Sequence, residues 1–136
     1  MKIKFVAGFS PISKNVADSA VFYADALGIH FEGDSDDYRY TQQLEGVKHF
    51  SVWPLRDAAM ACFGVEHWPK EFAEPNSSIE FEVEDVAEAE QELIREGYQM
   101  IHSTRVEPWG QTTARLLSPE GVLIGIVSTP WLNEQE

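Results

Sequence analysis

The predicted elements occur in the same order twice along the chain, and this repeat constrains the fold more than any other feature of the sequence. In each half, a strand is followed by a helix and then by three further strands. Placing Val16 over Val86 aligns the two predicted helices, and Gly28 and Gly97, which end them, then agree to within about one residue. An internal duplication is the best explanation, although an α+β sandwich without true repeats has the same order of elements.

Apolar runs and helical spacing define the elements of the first half. Apolar residues from Val16 to Leu27 recur at the spacing of a helix face, and Ser13 or Asn15 is placed to cap this helix. The predicted strands span 3–9 with a continuation through 10–12, 29–32 with an extension through 38–41, 48–55 and 59–65. Together these segments form one strand–helix–strand–strand–strand unit.

Strict alternation marks the first strand of the second half. Residues 78–83 alternate polar with apolar side chains, which indicates a strand with two unlike faces. A helix is predicted from 84–86 through Ile94, and it ends at Gly97. Three more strands are predicted at 98–103, 111–117 and 122–128, with a tight turn at 118–121 between the last two.

The segment 67–76 separates the two halves and has the composition of a linker, because it is rich in proline and charge. A chain of 136 residues fits one domain of ordinary size. We therefore predict a single domain over 1–136. Within it, the first module covers 1–66, the second module covers 77–129, and a short tail covers 130–136.

The charge of the chain is strongly acidic. Its 23 acidic and 10 basic residues give a formal net charge of −13. A surface of this sign repels phosphate backbones and anionic lipid surfaces, so we expect neither a nucleic acid nor a membrane as a partner. Cationic ligands would be attracted to such a surface, although acidity also serves solubility alone.

Cysteine content and hydropathy indicate the compartment. Cys62 is the single cysteine, which excludes an internal disulfide and a cysteine-based metal cluster. It lies in an apolar run, so we expect a small buried hydrophobe instead of a nucleophile. No apolar run approaches the length of a membrane span, and residues 1–4 lack the pattern of a signal peptide. We therefore expect a cytoplasmic protein.

Several segments match the sequence patterns of a known superfamily. Residues 19–28 read Ser-Ala-Val-Phe-Tyr-Ala-Asp-Ala-Leu-Gly, 79–86 open the second half, and 107–111 with 118–124 contain Pro-Trp-Gly followed by Ser-Pro-Glu-Gly. In order and spacing they resemble the vicinal-oxygen-chelate superfamily, which includes glyoxalases, bleomycin-resistance proteins and extradiol dioxygenases. The resemblance implies an α+β fold in which two βαβββ modules form a curled mixed sheet around a cavity.

The resemblance also implies where a metal would be held, and those positions lack the usual ligands. Enzymes of the superfamily bind a divalent metal through the first and last strands of each module. Carried onto this chain, the positions fall at Gly8, Ser78, Gly125 and within 61–63, where no carboxylate or imidazole occurs. Glycine and apolar side chains offer no donor to such a cation. We therefore predict neither a metal nor another cofactor.

By the same resemblance, the strand face that carries Ser78 points into the cavity. Period-two alternation then places Glu80 and Glu82 on that face as an acidic wall, although a polar face exposed to water has the same pattern. The rings of Trp53 and Trp109 are placed to stack on a planar ligand, or else to fill the core or a dimer interface.

Arg115 lies in a predicted strand, where it could bind an anionic group or face solvent. Arg115 is the last of the candidate side chains for the cavity. The predicted ligand-binding residues are Ser10, Trp53, Phe63, Glu80, Glu82, Trp109 and Arg115.

Three functions are compatible with these features. We favour a metal-free binding protein of the bleomycin-resistance type, which would sequester a planar, cationic small molecule in the cleft of a homodimer and could confer antibiotic resistance. The alternative is a glyoxalase- or dioxygenase-like lyase, isomerase or oxygenase with a displaced site, in which Glu80, Glu82 or His49 supplies acid–base chemistry. The third is an interaction domain with a vestigial cavity.

Overall fold

A curled, open mixed sheet forms the centre of the fold in the computed structural model, which describes residues 1–33 and 38–133. Within this part of the chain the strands are β1 (Phe5–Ser13), β2 (Arg39–Thr41), β3 (Phe50–Pro54), β4 (Ser77–Glu82), β5 (His102–Val106), β6 (Thr112–Leu117) and β7 (Leu123–Ser128). Their order across the sheet is β2-β3-β1-β4-β7-β6-β5.

The two halves of the chain meet in the middle of the sheet, where β1 and β4 pair antiparallel. In each half the first strand lies parallel to the last, with β1 beside β3 and β4 beside β7. Strand β2 pairs antiparallel with β3, and β6 pairs antiparallel with both β7 and β5. The repeat seen in the sequence is therefore also a repeat in space, and the predicted fold class is confirmed.

Short helices accompany the sheet in the described part of the chain. They are α1 (Val16–Ala20), which continues as a π-helical segment (Val21–Ala26), α2 (Leu55–Phe63), α3 (Val86–Arg95) and α4 (Pro130–Asn133). Asn15 caps α1 by accepting a hydrogen bond from the backbone N–H of Asp18, and Asp85 caps α3 in the same way. Of the described helices, none is long and apolar enough to cross a membrane.

The apolar run at the end of the first half folds as α2, so the prediction of a strand at 59–65 is wrong. Ala58, Ala59 and Cys62 are buried on one face of this helix and pack with Trp68. A short apolar run fits a buried strand and a helix equally well, and here the helical spacing of the buried residues decides. Cys62 is buried as expected, and burial raises the pKa of its thiol to about 11.

The strand predicted at 29–32 is reduced to a single bridge, in which Glu32 pairs with Tyr40. The predicted extension at 38–41 contributes β2 on its own. Strand β3 then takes the place beside β1 that β7 takes beside β4. The last strand of the first half is therefore β3, and α2 leads from it towards the second half.

The helix that follows the first strand packs differently in the two halves. The cluster between α3 and the sheet contains Val83, Val86, Ala89, Ala114, Leu116 and Ile126. In the first half, by contrast, α1 and the π-helical segment have no buried residue among those described, and Phe22 is 53% exposed. The predicted helix of the first half is present, but it packs only loosely against the sheet.

Candidate functional site

The curled sheet encloses a cavity of about 910 Å³, and both halves of the chain line it. Ser10 and Trp53 come from β1 and β3, whereas Ser78, Glu80 and Arg115 come from β4 and β6. The site therefore exists only when the two halves are paired at β1 and β4.

One row of residues crosses the sheet beneath the cavity. Strand pairing places Arg115 beside Gly125, Gly125 beside Glu80, and Glu80 beside Gly8. Directly paired residues point to the same face of a sheet, so the side chains of the row share the cavity face. His49 continues the row on the far side of Gly8. Two glycines therefore flank the one carboxyl of the row.

The glycines leave space that the Glu80 side chain fills. A β-carbon at Gly125 would lie 3.2 Å from Glu80 Cγ. A β-carbon at Gly8 would lie 3.5 Å from Glu80 Oε1 and 3.3 Å from the carbonyl oxygen of His49. A side chain at either position would compete with Glu80 for the same volume. The carboxyl thus occupies the region between two positions where the superfamily places metal ligands.

The structure changes the assignment of one of the four implied metal-ligand positions. Residues 61–63 lie in α2, and the last strand of the first half is β3. On β3, Ser51 lies beside Ser10 with their hydroxyl oxygens 2.6 Å apart, just as Gly125 lies beside Glu80 in the second half. The position predicted within 61–63 therefore corresponds to Ser51.

The donors at these four positions do not fit a divalent metal. Gly8 and Gly125 have no side chain, and Ser51 and Ser78 offer only hydroxyl groups. Across the described residues, His, Cys, Asp and Glu side chains form no group of three that could hold a metal ion. Hard and borderline cations prefer carboxylate or imidazole donors. The cavity instead contains the ionisable side chains of Glu80, Arg115 and their neighbours.

Burial raises the pKa of Glu80, which favours the protonated carboxyl. The positive charge of Arg115 and a hydrogen bond from Gln111 oppose this effect without cancelling it, whereas the charges of Glu82 and Glu107 add to it. The Nε2 of Gln111 donates to Glu80 Oε1 at 3.2 Å. A neutral carboxyl at this place could donate a hydrogen bond to a ligand as well as accept one.

Gln111 connects the carboxyl to the cavity mouth. Its Oε1 accepts a hydrogen bond from Trp109 Nε1 at 3.0 Å, and its Nε2 also donates to Thr129 Oγ1 at 2.9 Å. The Gln111 side chain is buried, so these bonds fix its orientation. Sequence reasoning missed Gln111, because no motif or periodicity distinguishes it from its neighbours.

Arg115 is buried at the other end of the row, with 1% of its surface exposed. Its Nη1 donates to Glu107 Oε1 at 3.2 Å and to His102 Nε2 at 3.0 Å, while His102 Nδ1 donates to the carbonyl of Ser103. Its Nη2 is buried and has no hydrogen-bond partner within residues 1–33 and 38–133. The guanidinium carbon lies 5.7 Å from the centroid of the Trp53 ring, which is a cation–π contact.

A single carboxylate, that of Glu107, forms ion pairs with both Arg105 and Arg115. Glu107 Oε1 accepts from Arg105 Nε at 3.0 Å, from Thr113 Oγ1 at 2.8 Å and from Arg115. Burial alone would raise the pKa of Glu107, but these hydrogen bonds and the two positive charges hold it below its usual value. Burial lowers the pKa of His102, which is therefore neutral. The cluster carries one positive charge that its own carboxylate does not balance.

Flat rings line the first-half side of the cavity. The rings of Tyr40 and His49 stack with centroids 5.5 Å apart and an interplanar angle of 10°, and the Tyr38 hydroxyl lies 2.7 Å from His49 Nε2. Burial raises the pKa of Tyr38 to about 12 and lowers that of His49, so the neutral phenol donates to the neutral imidazole. Sequence reasoning missed both tyrosines, although their spacing of two residues in a strand places them on one face.

The structure brings together most of the predicted ligand-binding residues. Those that line the cavity are Ser10, Trp53, Glu80, Trp109 and Arg115. Phe63 does not line the cavity. It lies at the end of α2, where its ring packs against Trp68 and Phe72. A role in ligand binding stays a prediction for the residues that line the cavity.

Glu82 shares a strand face with Glu80 but lies beneath α4. Its Oε2 accepts hydrogen bonds from the backbone N–H of Thr129 at 2.6 Å and from Asn133 Nδ2 at 2.7 Å. These contacts hold α4 against the end of the sheet. The predicted acidic wall is therefore reduced to Glu80 on this strand.

Solved structures share this fold at low sequence identity. A glyoxalase/bleomycin resistance protein/dioxygenase superfamily member from Vibrio splendidus 12B01 is 14% identical with a TM-score of 0.56, over 92% of this chain and 98% of that chain. A hypothetical protein from Bacillus halodurans C-125 is 18% identical with a TM-score of 0.59, over 92% and 94%. A protein described as an NAD-dependent benzaldehyde dehydrogenase from Legionella pneumophila is 14% identical with a TM-score of 0.59, over 89% and 96%. At these identities, the likeness shows the fold.

The family follows from the sequence itself. The sequence profile of the glyoxalase-like domain matches residues 8–129, which is most of the chain. The chain therefore belongs to the glyoxalase-like domain family, within the glyoxalase/bleomycin-resistance/dioxygenase superfamily. No curated protein matches the sequence.

Proposed function

We propose that this protein binds a planar small molecule in its cavity without a metal and releases it chemically unchanged, in the manner of a sequestering protein of the bleomycin-resistance type. One observation carries the proposal. The cavity is lined by flat rings, while the four positions implied for metal ligands carry two glycines and two serines. Such a site offers surfaces for stacking and lacks the donors for metal chemistry.

The size of the cavity supports a ligand of several fused or linked rings. Small-molecule sites typically enclose between about 300 and 1,000 Å³, and the present cavity has about 910 Å³. The stacked rings of Tyr40 and His49 form part of one wall, and Trp53 and Trp109 contribute indole rings elsewhere. A planar ligand could therefore contact aromatic faces on more than one side.

A second copy of the chain is part of the proposal, because apolar side chains remain exposed at the cavity. Met60, Val106, Trp109 and Trp131 belong to its lining and are 45%, 71%, 49% and 39% exposed. Exposed apolar patches of this kind mark interfaces. A homodimer that covers them would complete the cleft, and native mass spectrometry of the purified protein would then detect the dimer mass.

The experiment uses 2-naphthol, a planar probe without charge at neutral pH, and isothermal titration calorimetry on metal-free protein. We expect saturable binding, and we expect Trp109→Ala to weaken it about 3- to 10-fold through the loss of a ring contact. The control is Tyr98→Ala, because Tyr98 is 52% exposed, as Trp109 is 49% exposed, but lies outside the cavity lining. Equal losses in both variants, or no binding in the wild-type protein, would contradict the proposal.

Metal-free acid–base catalysis is the second candidate, and one observation favours it. Glu80 has a raised pKa and lies close to the hydrogen-bonded pair of Tyr38 and His49. A neutral acid beside such a pair is suited to moving a proton to or from a bound carbonyl compound. Chromatography of the bound ligand after incubation separates the two functions. Recovery of an altered compound, with that conversion abolished by Glu80→Gln, would favour the enzyme.

A further inference from the structure

We propose that the cavity holds its ligand by a carboxylate group, which binds the guanidinium of Arg115 above Gly125. The inference rests on the proposed binding function and goes beyond it, since it assigns the charge and the chemical group of the ligand. It also reverses the cationic preference that the acidic composition and the pair Glu80 and Glu82 suggested.

The geometry of the row provides the place. Arg115 and Glu80 lie on β6 and β4, and Gly125 lies between them on β7. Strands are spaced by about 4.8 Å, so the two backbone positions are about 10 Å apart with no side chain from the strand between them. The Glu80 side chain leans over part of this interval. The proposed ligand carboxylate would lie in this interval, between the guanidinium and the Glu80 carboxyl.

The hydrogen bonding of Arg115 provides the reason for an anion. Nη1 has two acceptors, Glu107 and His102, whereas Nη2 is buried with no acceptor in the described part of the chain. Leaving N–H groups of a buried cation unpaired costs free energy, which an incoming acceptor would recover. A carboxylate matches the fork of a guanidinium better than any neutral acceptor does. The ring of Trp53, 5.7 Å from the guanidinium carbon, would lie close to the rings of an aromatic acid bound there.

The charge balance around Arg115 agrees with this assignment. Arg105 and Arg115 share the single carboxylate of Glu107, and neutral His102 acts as an acceptor. Another carboxylate of the lining, Asp57, has a half-exposed side chain and lies 3.9 Å from the guanidinium of Arg56. Arg105 and Arg115 therefore have one carboxylate, that of Glu107, between them, in spite of the acidic composition of the whole chain.

Glu80 acts as the neighbour of the bound group. Burial raises the pKa of its carboxyl, and in the protonated form this group could donate to the second oxygen of a ligand carboxylate. The titratable and polar groups that face it are Arg115, Glu82, Glu107, Gln111, Tyr38 and His49.

The test compares four planar probes of one size by calorimetry: 2-naphthoate, 2-naphthamide, 2-naphthol and 2-naphthylmethylammonium. We expect 2-naphthoate to bind at least about 10-fold more tightly than the amide. Tighter binding of the ammonium probe than of 2-naphthoate would overturn the inference. Equal binding of naphthoate and naphthol would also overturn it and leave the proposed function intact. Failure of all four probes would instead refute the proposed function.

Two variants test the assignment to Arg115. Arg115→Lys keeps the charge but loses the fork, and we expect about a 10-fold loss for naphthoate with little change for naphthol. The matched control is Arg95→Lys on α3, where no change in affinity is expected. Gly125→Ala places a methyl group 3.2 Å from Glu80 Cγ, so it should also weaken naphthoate more than naphthol. Equal losses for both probes in the two cavity variants would overturn the inference. If Arg115→Lys does not fold, Gly125→Ala and the series on wild-type protein decide.

Discussion

The two halves of the sheet have the same order of elements but differ in packing. In the second half, α3 buries Val86 and Ala89 against the sheet. In the first half, the helical residues from Val16 to Ala26 include none that is buried among those described, and β2 has only 3 residues. A duplicated sequence order therefore does not imply two equally stable modules. The second half buries its first helix against the sheet, whereas the buried helical residues of the first half lie in α2.

The cavity shows the same division in its chemistry. The second half contributes Glu80 and Arg115, which hold the buried charge and its hydrogen bonds. The first half contributes the rings of Tyr40, His49 and Trp53. The row of polar groups thus comes mainly from the second half, whereas the stacked tyrosine and imidazole rings come from the first half. Because the two contributions come from different halves, the proposed ligand site depends on both.

We expect the largest effect on the free energy of unfolding from a charged residue introduced in α3, compared with the same change in α1. Ala89→Asp buries an unpaired carboxylate in the main core and should cost about 4 kcal/mol or more of unfolding free energy. Ala20→Asp makes the same change in α1, which has no buried residue among those described, and should cost about 1 kcal/mol. Urea denaturation of both variants measures the difference. Similar losses would show that the first helix is packed as tightly as α3.

A second comparison sets the buried ion cluster against the hydrogen bond on the other side of the cavity. Glu107→Gln leaves Arg105 and Arg115 without their carboxylate and should cost about 3 kcal/mol. Tyr38→Phe removes the hydroxyl with its hydrogen bonds to His49 and Ser51 and should cost about 1 to 2 kcal/mol. Thermal and urea unfolding provide the measurement. A larger loss for Tyr38→Phe would reverse the assignment of stability to the second half.

The smallest expected effect is a difference between Glu80 and Glu107 in how each changes the free energy of unfolding with pH. A raised folded-state pKa means that Glu80 stabilises the protein below its unfolded pKa, and this contribution is lost as pH rises through the folded value. Glu80→Gln should therefore gain stability relative to wild type as pH rises. Glu107 has a depressed pKa, so its contribution is lost as pH falls, and the deficit of Glu107→Gln should shrink in acid. Unfolding free energies measured across pH would show slopes of opposite sign.

The sequence predicts the second half better than the first, for physical reasons. Residues 78–83 alternate strictly and 86–95 have clear helical spacing, so each pattern allows one interpretation. The run 59–63 is apolar throughout, and only the helical spacing of the residues buried in the structure shows that it is helical. The predicted strand at 29–32 forms only a single bridge, because its partner β2 is short.

The candidate site could be predicted where it depends on alternation and not where it depends on distant contacts. Period two correctly places Glu80 on the cavity face, but it cannot show that α4 covers Glu82. The buried state of Arg115 depends on Glu107 and His102, which reach it across a turn and a neighbouring strand. Such contacts are tertiary, and no local pattern encodes them.

Glycine at 125 has a consequence for any redesign of this cavity. A β-carbon at 125 would lie 3.2 Å from Glu80 Cγ, so even a methyl group there requires Glu80 to shift slightly. A longer side chain at 125, such as a metal-binding glutamate, would compete with Glu80 for the same volume. Conversion of the cavity into a metal site therefore involves positions 80 and 125 together.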